Sequence, residues 1–223
     1  MTRLPPPRRR SGFTLIELLV VMAVLVALAA MLLPTLGAAK AKAQATQCLS
    51  NERQISLALR LYAEDANGLY PESGYELTWD LIDGTTHKTA WMEQLVFYAK
   101  NTNVYHCPTD KYSRFSYFNG ARAAYVQAGN HYSPVDSKKI LLPAAYVLSG
   151  DAPWEGKNCY VDADKDDYTY NCVGGSSNGV PAKAWKAHRK GQNILFEDGH
   201  VSWFKGYARS EMTFRYDTLH GWE

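Results

Sequence analysis

The chain has 223 residues, with 24 Lys and Arg against 22 Asp and Glu, so its net charge is +2 at pH 7. This near-neutral balance argues against nucleic acid as a partner recognised through bulk electrostatics. Hydrophobic residues make up 46% of the chain, and residues 48–223 are long enough to form one domain with a real core.

The N-terminal region joins a basic cluster to an apolar run. Arg8, Arg9 and Arg10 precede Gly12, and residues 13–33 then contain Glu17 as their only ionisable side chain. As a helix this run would be roughly 32 Å long, close to the bilayer hydrocarbon thickness of about 30 Å. Short basic flanks stay in the cytoplasm. We therefore predict one membrane-spanning helix with a cytoplasmic N-terminus and the bulk of the chain outside.

Glu17 is unusual within this run. A carboxylate in hydrocarbon costs about 2.5–3.5 kcal/mol and is normally partnered, yet no cation within the run can reach it. Cleavage between Gly12 and Phe13 would create an α-amino group on Phe13. That amino group, on a neighbouring molecule, could lie opposite Glu17 and set the register of assembly.

The segment Arg-Arg-Arg-Ser-Gly followed by Phe-Thr-Leu-Ile-Glu resembles the cleavage and methylation segment of type IV prepilins and type II secretion pseudopilins. The resemblance covers Ser11 to about Leu33. It implies cleavage after Gly12 by a prepilin peptidase, N-methylation of Phe13, and packing of the helix, with Glu17, into a filament core. It also implies a bacterial inner-membrane protein whose partners are copies of itself and other pilin-like subunits. Removal of a leader containing four arginines would change the net charge from +2 to −2.

Other N-terminal signals fit the run less well. A secretory signal peptide has an apolar region of 7–15 residues before its cleavage site, whereas this run is longer and carries an acid. The arginines also faintly resemble a twin-arginine export signal. Cleavable export and a simple membrane anchor remain the alternatives.

The predicted helix continues beyond the apolar run. Apolar side chains recur at helical spacing and give one packing face: Cys48, Ile55, Ala58, Leu59 and Tyr62. We predict one helix from Phe13 to about Asp65, with a weak point at Pro34 and a stop at Asn67-Gly68.

The chain is predicted to have four segments. These are a prepilin leader over residues 1–12, a transmembrane and assembly helix over 13–34, its amphipathic extension over 35–66, and a globular head over 67–223. The expected fold class is α+β: a pilin-like ladle whose long N-terminal helix packs on an antiparallel β-sheet in the head.

Within the head, residues 90–100 are predicted to form a short helix with Trp91, Leu95 and Tyr98 on one side. Strands are expected within residues 115–120 and 145–151. Residues 192–197 and 200–204 flank Asp198-Gly199, the two-residue signal of a hairpin with a type I′ turn.

Four cysteines follow the apolar run, which suggests disulfides on the oxidising side of the membrane. Four cysteines allow three connectivities, and spacing alone cannot choose between them. We expect Cys159–Cys172 to close a short acidic loop and Cys48–Cys107 to tie the helix to the head. Reduced, buried cysteines are the alternative.

His188 and Asp198-Gly199 are separated by nine residues, which looks like the H-x9-DG signature of many prepilin-like proteins. We interpret it as structural, with Asp198 and Gly199 forming the turn and His188 hydrogen-bonding to the loop near it. A metal site from His188, Asp198 and His200, with or without Asp151, is the alternative.

An acidic segment offers the remaining cofactor hypothesis. Asp162, Asp164 and Asp166 alternate as at the start of a calcium loop, but Asp167 and Val173 stand where an EF-hand needs Gly and Glu. A looser calcium loop or a solvated acidic loop both fit, so no cofactor is certain.

The sequence thus predicts a structural filament subunit with no catalytic residues, and not an enzyme. One alternative is a membrane-anchored surface module for carbohydrate binding or adhesion, which would use exposed aromatics such as Trp154, Trp185 and Trp222. A less favoured one is an exported metal-dependent hydrolase, in which His188, Asp198 and His200 would converge in an open pocket.

Overall fold

A single long helix, α1, opens the computed structural model of the protein and runs over Leu15–Asp65. This confirms the predicted helix, which continues through Pro34. The structure describes residues 12, 14–72, 90–110, 115–120, 133–151, 188, 191–206, 208 and 210–219. Its contacts divide the chain into two units, Met1–Ala43 and Gln44–Glu223. The finer division into leader, assembly helix, extension and head stays a prediction.

α1 ends at the predicted stop. Asn67 and Gly68 have φ values of 58° and 93°, in the left-handed region that Asn and Gly tolerate best. The Gly68 amide donates to the carbonyl of Ala63 at 2.7 Å, so the stop satisfies one of the last helical carbonyls.

The predicted helix over residues 90–100 is two single turns, α2 over Trp91–Gln94 and α3 over Val96–Ala99. They are interrupted because Leu95 has φ −88° and ψ −1°, and its amide donates three residues back, to Met92, at 3.2 Å. Leu95 itself is fully buried. Lys100, with φ 56°, ends the segment.

Four strands form one antiparallel sheet in the order β1-β2-β3-β4. Their bounds are Tyr117–Asn119 for β1, Val147–Asp151 for β2, Gln192–Phe196 for β3 and Val201–Phe204 for β4. The register of β2 on β3 shifts between Val147 and Ser149. The long N-terminal helix and this sheet give the α+β, pilin-like layout that the sequence predicts.

Both faces of the sheet are covered. One face packs against the predicted apolar face of α1, where Cys48, Ile55, Ala58 and Leu59 are at most 1% exposed. The other face forms a smaller cluster that includes Phe118, Val147, Ile194, Phe196, Met212 and Phe214. Burial on both faces explains why β1, β2 and β3 are buried at every position.

The β3–β4 hairpin is present, but the prediction of a type I′ turn is wrong. Such a turn needs positive φ at both central residues, and of Asp198 and Gly199 only Gly199 has one, at 90°. Gly199 donates to the Phe196 carbonyl at 2.9 Å, and the Phe196 amide donates to His200 at 3.0 Å. The connection is therefore a three-residue loop that closes with a glycine.

Candidate functional site

The first part of α1 exposes its apolar side chains. Large hydrophobic residues from Leu15 to Leu36 are between 47% and 80% exposed. α1 is long and apolar enough to cross a membrane, and its most apolar window is not buried within the structure. An apolar helix near the N-terminus suggests a single-pass membrane anchor.

Glu17 has a partner within its own chain that the sequence interpretation missed. Thr14 donates to Glu17 Oε2 through its amide and through its hydroxyl, both at 2.8 Å, and its Oγ1 accepts from the Glu17 amide at 3.3 Å. This reciprocal pattern is a capping box at the start of α1. The signal was present in the sequence, since Thr14-Leu15-Ile16-Glu17 follows the S/T-x-x-E pattern.

Residues 7–33 match the family model described as the prokaryotic N-terminal methylation motif. The chain carries this motif. It includes the predicted cleavage residues Gly12 and Phe13 as well as Glu17, and it is consistent with a type IV pilin or pseudopilin. Comparison with curated proteins and with solved structures finds no significant match. The H-x9-DG signature stays a prediction.

A second group of chemically active side chains is buried in the head, between α1 and the sheet. Cys48 and Cys107 form a disulfide, which is one of the two predicted pairings. His188 Nε2 lies 3.5 Å from Cys107 Sγ and 3.4 Å from Asp151 Oδ2. These four residues are at most 6% exposed. We call them, together with Glu52, the buried cluster.

The members of the buried cluster come from α1, β2 and the segments around Cys107 and His188. Cys48 and Glu52 lie one turn apart on α1, and Asp151 ends β2. The loop around Cys107 is tied to α1 because Asn51 Nδ2 donates to the carbonyl of His106 at 2.9 Å.

His188 is positioned by Gly191 and Trp203. Two backbone bonds of 3.0 Å join His188 to Gly191, and Trp203 Nε1 donates to the His188 carbonyl at 2.7 Å. A Cβ on Gly191 would lie 2.3 Å from the Trp203 ring. Glycine is therefore required for the approach that fixes His188 beside Asp151.

Glu52 is the most unusual member of the buried cluster. It is fully buried, and neither carboxylate oxygen has a hydrogen-bond partner among the described residues. Burial, followed by the nearby charge of Asp151, raises the pKa of Glu52 well above its usual value. Burial therefore disfavours the ionised form of this side chain, since an ionised carboxylate would be unpaired there.

The expected contact of His188 with the hairpin loop is wrong. His188 precedes β3 and Asp198 follows it, so the five residues of the strand, about 16 Å long, lie between them in the chain. Asp198 instead accepts from the His200 amide at 3.0 Å in an exposed pair. The structure therefore does not bring His188 together with Asp198 and His200.

Several predicted site residues lie outside the described part of the chain. They are Phe13 at the cleavage site, Cys159 and Cys172 of the second predicted disulfide, Asp162, Asp164 and Asp166 of the calcium hypothesis, and the aromatics Trp154, Trp185 and Trp222. The predictions made for them stay predictions.

Proposed function

We propose that this protein is a structural subunit of a type IV pilus-like or type II secretion pseudopilus filament. A prepilin peptidase cleaves it after Gly12, Phe13 becomes N-methylated, and the subunit leaves the inner membrane by polymerising through α1. It binds copies of itself and other pilin-like subunits, and it turns over no substrate.

The observation that carries this proposal is the methylation motif placed on an exposed apolar helix that contains one acid. An apolar helix surface of this extent needs either lipid or other helices around it. Glu17 is poorly suited to lipid, because a carboxylate there is costly. A methylated amine of Phe13 on the adjacent subunit supplies the opposite charge, which favours helix packing in one register.

Processing is tested by intact mass and N-terminal sequencing of the protein recovered from membranes of a host that has a prepilin peptidase. We expect a chain that begins at Phe13 and is heavier by one methyl group. A chain that keeps residues 1–12 would contradict the proposal, and so would a chain that begins anywhere beyond residue 33 and therefore lacks the apolar run.

The assembly role of Glu17 has to be separated from its capping role. Glu17→Gln retains an acceptor for Thr14 and removes the charge, whereas Thr14→Ala removes the capping hydroxyl and retains the charge. If the charge pair drives assembly, Glu17→Gln abolishes filaments and Thr14→Ala retains them. Filaments are measured by immunoblotting of the sheared fraction and by negative-stain microscopy.

A matched control is Glu64→Ala, which removes an exposed glutamate near the other end of α1. It should leave filament yield unchanged. Normal filaments from Glu17→Gln would show that assembly does not need the charge. If filaments were lost in Thr14→Ala and retained in Glu17→Gln, Glu17 would serve only to cap the helix.

A further inference from the structure

We propose that the buried cluster is a zinc site when the Cys48–Cys107 disulfide is reduced. Cys48, Cys107 and His188 supply three ligands, and Asp151 supplies the fourth. α1 would then have two alternative ties to the rest of the head, a disulfide to the Cys107 loop and a zinc ion. This inference does not rest on the proposed filament function.

The geometry carries the proposal. The two Sγ atoms and one His188 ring nitrogen lie within 4.8 Å of one another. In a tetrahedral zinc site, Zn–S near 2.3 Å and Zn–N near 2.0 Å place sulfur and nitrogen about 3.5 Å apart, and Cys107 Sγ and His188 Nε2 are separated by 3.5 Å. Nitrogen and carboxylate oxygen should be about 3.4 Å apart, as His188 Nε2 and Asp151 Oδ2 are.

The carboxylates are a second, independent observation. Asp151 Oδ1 and both oxygens of Glu52 are buried without a hydrogen-bond partner in the described residues. Buried acids without donors are rare in folded proteins, and they mark a place where a cation would be favourable. Asp151 Oδ2 is oriented by the Asn193 amide, which donates to it at 2.7 Å, and this oxygen keeps a second lone pair with which it can bind the metal.

The chemistry requires a reductant, for which we name a dithiol. The dithiol gives two electrons and two protons to the Cys48–Cys107 bond, which breaks into two thiols, while a new sulfur–sulfur bond forms within the dithiol. Zinc then binds both sulfurs, and the two thiol protons pass to solvent. The two thiolates balance the charge of the zinc ion. Two thiolates, an imidazole and a carboxylate are all zinc ligands.

The test uses the full-length chain in detergent, with Cys159 and Cys172 changed to Ser so that Cys48 and Cys107 are its only cysteines. The protein is reduced with a trialkylphosphine, which breaks the same bond, and is desalted without oxygen. Zinc and cobalt are then added in turn. Complete reduction is checked by intact mass after alkylation. We expect one zinc per reduced chain, none per oxidised chain, and a cobalt spectrum with thiolate charge-transfer bands and intense tetrahedral bands.

The variants assign the ligands. His188→Gln should lower zinc affinity at least tenfold, and His188→Cys should restore it by supplying another ligand. His200→Gln is the matched control, because it removes an exposed histidine outside the cluster, and it should leave affinity unchanged. Near-ultraviolet circular dichroism of each oxidised variant checks its fold. If His188→Gln does not fold, Asp151→Asn takes its place, and it too should lower zinc affinity.

Two results would overturn the proposal. One is a reduced parent chain that binds no zinc. The other is zinc binding of equal affinity in the parent and in His188→Gln, which would mean that the metal is held by other side chains.

Discussion

Removal of the Cys48–Cys107 disulfide should strongly destabilise the head. Both cysteines are fully buried, and the bond joins α1 to the loop after residue 105. We consider the double substitution Cys48→Ala and Cys107→Ala, which removes both sulfurs of this disulfide.

The magnitude follows from the length of the closed loop. The two cysteines are 59 residues apart in sequence. Loss of a cross-link of this length increases the entropy of the unfolded chain enough to lower the free energy of unfolding by about 4 kcal/mol. The small cavity left by two buried sulfurs adds to this loss. For a domain of this size, about 4 kcal/mol corresponds to a fall in Tm of roughly 8–16 °C.

The assay is thermal unfolding of the full-length protein in detergent, followed by the near-ultraviolet circular dichroism of its aromatic side chains, which include the buried Trp91 and Tyr105. The background again carries Ser at Cys159 and Cys172, so that a reductant can act on one disulfide only. Reductant should lower the Tm of the parent and leave the double variant unchanged. A parent and variant whose Tm values agree within about 2 °C would refute the entropic reasoning.

Two further substitutions test the buried acid and the hairpin. Glu52→Gln should stabilise the oxidised head increasingly as pH rises from 5 to 8, because burial and Asp151 raise the pKa of Glu52. The folded head then keeps a proton on Glu52, whereas the unfolded chain, in which the pKa is near 4.5, releases it. The free energy of unfolding of the wild type therefore falls by up to about 1.4 kcal/mol per pH unit. Denaturant unfolding at pH 5 and pH 8 measures the free energy of unfolding of both proteins. A difference between Glu52→Gln and the wild type that is equal at the two pH values would contradict the prediction. Gly199→Ala should cost about 1–2 kcal/mol, because φ is 90° there and the new methyl group would lie 3.2 Å from Ser56 Oγ; an unchanged Tm would show that the loop adopts another conformation.

Short sequence patterns predicted the helices and strands of the fold where the type of one or a few neighbouring residues decides the local conformation. The apolar face around Ile55, the stop at Asn67-Gly68 and the hairpin at Asp198-Gly199 all have local causes. The same reasoning failed at Leu95 and at the type of hairpin turn. Both depend on backbone angles that the surrounding core selects.

Part of the buried cluster was predicted, namely the Cys48–Cys107 pairing, and His188 with Asp151 as ligands of an alternative metal site. The cluster as a whole could not be predicted, because its contacts join residues far apart in sequence. His188 Nε2 approaches Asp151 Oδ2 across 37 positions and Cys107 Sγ across 81. The motif spacing drew attention to Asp198 instead, which is near in sequence and distant in the fold. One local signal was available: Glu52 lies four residues after Cys48, on the helix face that the apolar pattern had already assigned to the core.

The position of the disulfide along α1 leads to a prediction about mechanical load. In the proposed filament, α1 holds the subunit, so force on the head reaches α1 through the backbone after Asp65 and through the contacts between the head and α1. Gln44 donates to the Pro108 carbonyl at 3.1 Å, and Arg60 donates to the Glu197 carbonyl at 3.0 Å. The Cys48–Cys107 disulfide is covalent, unlike these two hydrogen bonds, and it begins four residues after Gln44, where the second compact unit starts.

The variant with Ala at both Cys48 and Cys107 should therefore be processed and inserted like the parent, but its filaments should be more fragile. Leader removal depends on residues near Gly12, whereas resistance to shear depends on the tie between α1 and the head. Equal leader removal, measured by intact mass, together with a lower yield of long filaments after a graded series of shear forces, would support this role. Equal filament lengths at every shear force would show that the non-covalent contacts along α1 bear the load without the disulfide.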